Sequence, residues 1–197
     1  QSEELIDEAA LGAIIDEAYA NAKLHPDQID TGAVILTGEA LRRENSAAIA
    51  RILSEQGGEF VCATAGHHME SMLAAYGSGA SRISHDEDKR VLNIDIGGGT
   101  TKLSVVEKGH VIATAAFHVG GRLQVVDDKG TIVRLDPAGR HHARQAGFDW
   151  HKGDVIDRKL LDKVADVMAD EVVAALTQRP MPPAIEHLYL TDPILDF

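Results

Sequence analysis

A run of three glycines between two apolar stretches constrains this chain more than any other feature. Residues 90–108 read Arg-Val-Leu-Asn-Ile-Asp-Ile-Gly-Gly-Gly-Thr-Thr-Lys-Leu-Ser-Val-Val-Glu-Lys. Val91, Leu92, Ile94 and Ile96 have the pattern of a short buried strand, and Leu103, Val105 and Val106 start a second. Gly97, Gly98 and Gly99 carry no Cβ, so the backbone can turn sharply and bring its N–H groups close to an anion. Asp95 lies at the end of the first strand, where a carboxylate can face Mg²⁺ or its water shell. Thr100 and Thr101 add hydroxyls at the mouth of the turn. Together these predict a phosphate clasp built on a hairpin. A P-loop differs, because its glycine loop opens a helix and carries a Lys-Ser/Thr pair. A glycine-rich hairpin without a ligand is the plain alternative.

Charge narrows the partners. The chain of 197 residues has a net charge of −12, which argues against nucleic acid or an anionic membrane as the main partner. A phosphate site must therefore neutralise its ligand locally, by backbone N–H groups and a cation. Aromatics make up only 4% of the residues, so Ala, Val, Ile and Leu must build the core. The one cysteine, Cys62, sits in the apolar run Phe60–Ala63 and reads as a buried structural thiol, with no disulfide possible within the chain. No stretch has the length of a membrane span and no signal peptide is evident, so a cytoplasmic location is expected. Gln1 opens directly in a helical pattern and Phe197 follows an apolar run, as in a chain cut at both ends.

Hydrophobic spacing orders the elements. A helix is expected from about Glu3 to Lys23, capped by Ser2 and stopped at His25-Pro26-Asp27. Ala33–Thr37 reads as a fully apolar strand. A helix through Leu41, Ala48, Ile49, Ile52 and Leu53 follows, ended by Gly57-Gly58. Glu59–Thr64 is another buried strand. The next helix, over 67–77, carries Met69, Met72, Leu73 and Tyr76 as its apolar stripe, leaving Glu70 off that stripe. Ser84–Lys89 reads as a charged loop. Three strands follow, Val91–Ile96, Lys102–Glu107 and His110–Phe117, with a tight turn at Lys108-Gly109. Asp127–Gly130 is a turn between short strands, and residues 136–156 have no clear period. Asp157–Gln178 is an amphipathic helix with Leu161, Val164, Ala165, Met168 and Val172 on one face, and 186–191 is a final strand.

The order α-β-α-β-α then β-β-β-α-β, with Asp95-Ile-Gly-Gly-Gly-Thr100, resembles the actin/Hsp70/sugar-kinase ATPase superfamily, an α/β fold of two ribonuclease H-like lobes. The resemblance makes Asp95–Thr101 the second phosphate motif of that superfamily. It makes 1–88 the remainder of the first lobe and 89–197 the start of the second. The helix over 67–77 then resembles the one connecting the lobes, with Glu70 placed near bound Mg²⁺; a carboxylate favoured by the helix N-terminus explains Glu70 equally well. Within the superfamily the chain is similar to the ethanolamine ammonia-lyase reactivating factors, the EutA family. That likeness rests on Asp30–Glu39, Phe60–Ala80, Val91–Thr100 and Val119-Gly-Gly-Arg-Leu123. It implies an ATP-dependent, chaperone-like factor that exchanges damaged cobalamin for adenosylcobalamin on ethanolamine ammonia-lyase, in the cytoplasm and in association with a bacterial microcompartment. It implies ATP and Mg²⁺ as cofactors, Gly97, Gly98, Gly99, Thr100 and Thr101 as nucleotide contacts, and Asp95 and Glu70 as catalytic and metal-facing groups.

Two family motifs are absent. The chain is expected to start after the family's earlier Asp-Ile-Gly-Thr-type hairpin, and Leu188-Tyr-Leu-Thr191 is followed by Asp192-Pro193 rather than by the glycines of an adenosine turn. With one phosphate hairpin and no opposing one, these residues are expected to hold an anion weakly and to hydrolyse no ATP, and their exposed sheet edge is expected to invite pairing between chains. A small-molecule kinase or phosphatase of the same superfamily is the alternative function; a nucleotide-controlled polymer is a third. Glu39 is a candidate cleft residue or a helix-start carboxylate. Arg122 is a candidate phosphate contact or a surface ion pair. The adjacent pairs His67-His68 and His141-His142 are expected to point apart and to be solvated or to cap helices, since a metal needs several converging groups.

Overall fold

The computed structural model describes residues 5–37, 45, 49, 52, 60–178 and 180–195. Ser2, Gly38, Glu39 and most of the helix expected through Leu41–Leu53, with its Gly57-Gly58 stop, lie outside them, as does the Cys62 side chain. The chain divides into two compact units, Gln1–Gly66 and His67–Phe197. Among the described residues no helix is long and apolar enough to cross a membrane.

In the first unit, helix α1 (Glu8–Ala22) starts later than its periodicity predicts. Asp7 accepts the Ala10 N–H at 2.9 Å and so caps the helix there. Just upstream, the Asn45 amide exchanges two hydrogen bonds with the Ile6 backbone, which holds that residue outside the helix. Lys23 closes the helix in the left-handed conformation, φ 56°. Strands β1 (Gly32–Thr37) and β2 (Phe60–Ala65) pair in parallel, Gly32 opposite Phe60 through Thr37 opposite Ala65. Leu36 and Ala65 are buried, whereas Ile35 and Val61 are exposed. These strands are therefore not buried on both faces, as their unbroken apolar sequence implied.

The second unit is layered around an antiparallel sheet in the order β3-β4-β5, formed by Val91–Ile96, Thr101–Glu107 and His110–Phe117. Lys108 and Gly109 both take positive φ, as the two-residue hairpin between β4 and β5 requires. Helices α2 (His67–Gly77) and α3 (Ala80–Asp86) cover one face. Leu103, Val105 and Phe117 enter the main core on the other, with Val164 and Met168 of α5 (Lys159–Thr177). β6 (Gln124–Val126) and β7 (Ile132–Leu135) form a second hairpin, whose turn is held by the Asp127 carboxylate accepting the Lys129 and Thr131 N–H groups.

Several expectations change here. The buried residues of α2 are Ser71 and Ala75, while Met69, Leu73 and Tyr76 are exposed. Small residues let α2 approach β4 closely, and the Ser104 hydroxyl donates to the Ser71 carbonyl at 2.7 Å. The charged segment Ser84–Lys89 begins inside α3, because the fully buried Ser84 hydroxyl donates to the Lys89 carbonyl and folds the chain back. Residues 137–145 of the segment without a period form α4 (Pro137–Gln145). Its buried positions are Gly139, His142 and Ala143, none of which registers as a hydrophobic stripe. On α5 the buried set is Val164, Met168, Glu171, Ala174 and Ala175; Ala165 faces out. Beyond α6 (Pro183–Glu186), the expected last strand reduces to one bridge between Tyr189 and Phe117.

Candidate functional site

Ile96 pairs with Thr101 as the last rung of the β3–β4 hairpin, and Gly97 closes the turn by donating to the Thr100 carbonyl at 2.9 Å. None of the three glycines needs a positive φ. A Cβ on Gly98 would meet Arg122 only at ordinary contact distance, and one on Gly99 would meet nothing within 4 Å. The folded chain itself therefore gives little reason for glycine at the tip of the turn. Close approach of a ligand to the backbone would supply one. Among the described residues, the N–H groups of Gly98, Gly99 and Thr100 donate to no protein acceptor. Consecutive free N–H groups of this kind form an anion-binding concavity.

The turn is braced from behind by the segment Val119–Arg122. Gly121 donates to the Gly97 carbonyl at 2.9 Å and Arg122 to the Gly98 carbonyl at 2.7 Å. Gly120 is obligatory here, because a Cβ would lie 2.6 Å from the Gly98 carbonyl oxygen. Thr101 is fully buried and its hydroxyl donates to the Val119 carbonyl at 2.8 Å, so it ties the brace to β4. Thr100 stays at the mouth.

Lys102 is the residue that sequence reasoning missed. Its ammonium lies 2.7 Å from the Glu70 carboxylate and donates to the Thr100 hydroxyl at 2.9 Å. The Lys102 side chain is 6% exposed and that of Glu70 20% exposed. Strand alternation puts Lys102 on the same face as Ser104, towards α2, and Glu70 is adjacent to the buried Ser71. An ammonium thus lies directly beside the Glu70 carboxylate. The signal was available: a lysine alternating with buried positions in a strand needs an anionic partner. Asp95 lies directly across the ladder from Lys102, half-buried, and its carboxylate makes no hydrogen bond or ion pair among the described residues. Arg122 is exposed, with its aliphatic stem beside Gly98, and it too forms no ion pair among them. The hairpin thus gathers three free N–H groups, a buried ammonium, a guanidinium and an uncommitted carboxylate.

The two histidine pairs behave differently. His68 bonds the Thr114 hydroxyl through Nδ1 at 2.7 Å, an ordinary structural role. His141 and His142 both turn towards Glu171 instead of pointing apart. The cavity along α4, 410 Å³, is lined by Leu135, Asp136, Pro137, Arg140, His141 and Arg144 and shares no residue with the glycine turn. Glu39 lies outside the described residues.

The family model described as "Ethanolamine utilisation protein EutA" matches residues 1–196. The chain belongs to the EutA family. It is 37% identical over 170 residues to the ethanolamine ammonia-lyase reactivase EutA of Salmonella typhimurium strain LT2, covering 86% of this chain and 36% of that protein. It is 41% identical over 133 residues to the reactivase of the same name from Escherichia coli K12, covering 68% of this chain and 28% of that one. The chain thus spans about a third of the length of these curated relatives. Similar solved structures include the type II variant of the Aquifex aeolicus Ppx/GppA phosphatase, with a TM-score of 0.48 at 14% identity over 89% of this chain and 48% of that one. The ethanolamine utilization protein EutJ of Carboxydothermus hydrogenoformans gives 0.45 at 20% identity over 92% and 62%. MreB5 of Spiroplasma citri, bound to AMPPNP, gives 0.44 at 17% over 95% and 62%.

Proposed function

We propose that this chain supplies the phosphate-binding turn of an ATP-dependent reactivating factor for ethanolamine ammonia-lyase, built on an actin/Hsp70-like ATPase core. In this reading the complete protein frees damaged cobalamin from the inactivated lyase so that adenosylcobalamin can enter, in the cytoplasm and beside a bacterial microcompartment. Family membership and the names of the two reactivases support the target. The observation that carries the nucleotide reading is the trio of free N–H groups at Gly98, Gly99 and Thr100, with the Arg122 side chain beside Gly98 and open space at Gly99.

The residues present fit a Mg²⁺-nucleotide. Gly98–Thr100 would hold phosphate oxygens through backbone N–H groups, with Lys102 and Arg122 supplying the positive charge that a chain of net charge −12 otherwise lacks. Asp95 would face the metal. Glu70 positions the Lys102 ammonium and, in the complete site, metal or water. A bound Mg²⁺ would neutralise charge on the phosphates. Clamping for phosphoryl transfer needs groups on both sides of the nucleotide, so these residues alone should turn over no ATP. The test uses the full-length protein. Asp95→Asn should weaken MgATP binding in calorimetry while leaving the melting temperature nearly unchanged; unchanged MgATP affinity contradicts the assignment.

A further inference from the structure

The geometry points to a divalent transition-metal site of the zinc class, formed by His141 and His142 of α4 with Glu171 of α5. It is separate from the nucleotide site and does not depend on it. His142 is fully buried, and its Nε2 lies 2.8 Å from the His118 carbonyl. A carbonyl only accepts, so Nε2 carries a proton, and in the neutral tautomer this leaves Nδ1 bare on the opposite side. That Nδ1 faces the Glu171 Oε2 at 2.7 Å. Both atoms are buried and neither has a hydrogen-bond partner of acceptable geometry. Two lone pairs held at this distance need a cation.

A proton shared by His142 and Glu171 requires only those two groups. A third donor also converges on them: His141 Nε2 lies 4.0 Å from the Glu171 Oε1, and one ligand atom from each of the three residues falls within 4.8 Å of the others. A second imidazole is surplus to a proton-linked pair, but it completes the two-histidine, one-glutamate donor set that zinc accepts, with a fourth position left for water. Bonds of about 2.0–2.1 Å place tetrahedral ligands about 3.3 Å apart, so small side-chain rotations bring this set to coordinating geometry. His142 already has the outer-sphere arrangement of a metal-binding histidine, its other nitrogen donating to a backbone carbonyl. Burial holds the His141 pKa below its usual value, with His187 and His142 adding to the effect and Glu171 opposing it. His141 also lines the 410 Å³ cavity along α4, which gives an ion a way in. The metal would pin α4 to α5. Through His118 it would also brace the segment that begins at Val119 and supports the glycine turn.

The test uses the whole chain, freed of metal by a chelator and titrated with Zn²⁺ in calorimetry, and with Co²⁺ in visible absorption. One equivalent of Zn²⁺ should bind and raise the melting temperature, and Co²⁺ should give an intense tetrahedral band. His141→Ala and Glu171→Gln should each weaken Zn²⁺ binding by at least about 100-fold, the upper end of what loss of an outer-sphere partner does. His151→Ala, at an exposed histidine outside the cluster, should change neither. His141 is partly exposed, so its variant tests the site even if Glu171→Gln fails to fold. No saturable binding, or equal affinity in His141→Ala, overturns the proposal. So does a Glu171→Gln protein that is destabilised to the same extent with and without Zn²⁺, which marks a proton-linked pair alone.

Discussion

Replacing Lys102 by Met keeps most of the side-chain volume and removes the charge that Glu70 and Thr100 share. Breaking a fully buried ion pair from one side costs about 3–5 kcal/mol, whereas an exposed pair contributes about 0.2–1 kcal/mol. With Lys102 6% and Glu70 20% exposed, this pair lies towards the buried limit, but Glu70 can recover part of its hydration. We expect Lys102→Met to destabilise the second unit by about 2 kcal/mol, a fall in melting temperature of roughly 6–8 °C for a domain of this size. Adding Glu70→Gln to the Lys102→Met protein should restore part of the loss, because no carboxylate is then left unpaired. The resulting coupling energy should be about 1.5 kcal/mol. Urea unfolding followed by the fluorescence of Trp150, the one tryptophan and a member of this unit's core, measures the wild type, both single variants and the double variant. A coupling below about 0.5 kcal/mol, the surface-pair range, refutes the buried bridge and the electrostatics built on it.

Two further perturbations probe the frame of the site and its neighbour. Gly120→Ala drives a Cβ into the Gly98 carbonyl and should destabilise the unit by about 2–4 kcal/mol, while Gly99→Ala, which meets nothing, should be tolerated to within about 0.5 kcal/mol; urea midpoints compare them. Because the folded state holds the His141 pKa below its unfolded value of 6.5, the unfolded chain binds more protons just below that pH. The contribution of His141 to stability is therefore present above pH 6.5 and lost as pH falls through the lower folded pKa. Melting curves in metal-free buffer should show this loss in the wild type and a shallower one in His141→Asn; the same slope in both contradicts it.

The hairpin was legible because its signals are local: alternating apolar positions, a glycine turn and a carboxylate at a fixed offset all lie within residues 91–106. The pairing of Glu70 with Lys102 does not follow from the stripe that set Glu70 apart in the sequence. Glu70 meets the hairpin because Ser71 and Ala75 form the packed face of α2, not because the methionine stripe does. Hydrophobic spacing cannot find a face built of Ser and Ala, since close backbone approach rather than apolar area defines it. For the same reason α4 was invisible, its buried side being Gly139, His142 and Ala143. Lys102 was passed over as a strand lysine, and the His141, His142 and Glu171 cluster depends on two helices meeting, which no sequence spacing encodes. Thr101 illustrates the converse: the motif names two threonines, and only the fold shows that its hydroxyl is taken by Val119.

The central claim is that the glycine turn receives an anion through its own backbone, and amide chemical shifts read that directly. In a titration of the isotope-labelled chain with inorganic phosphate, the amides of Gly98, Gly99 and Thr100 should move together and saturate with a dissociation constant no tighter than about 1 mM. Gly147 and Gly153, loop glycines with open space but no such concavity, should stay in place. Movement spread evenly over all loop glycines, or none at residues 98–100, contradicts the account.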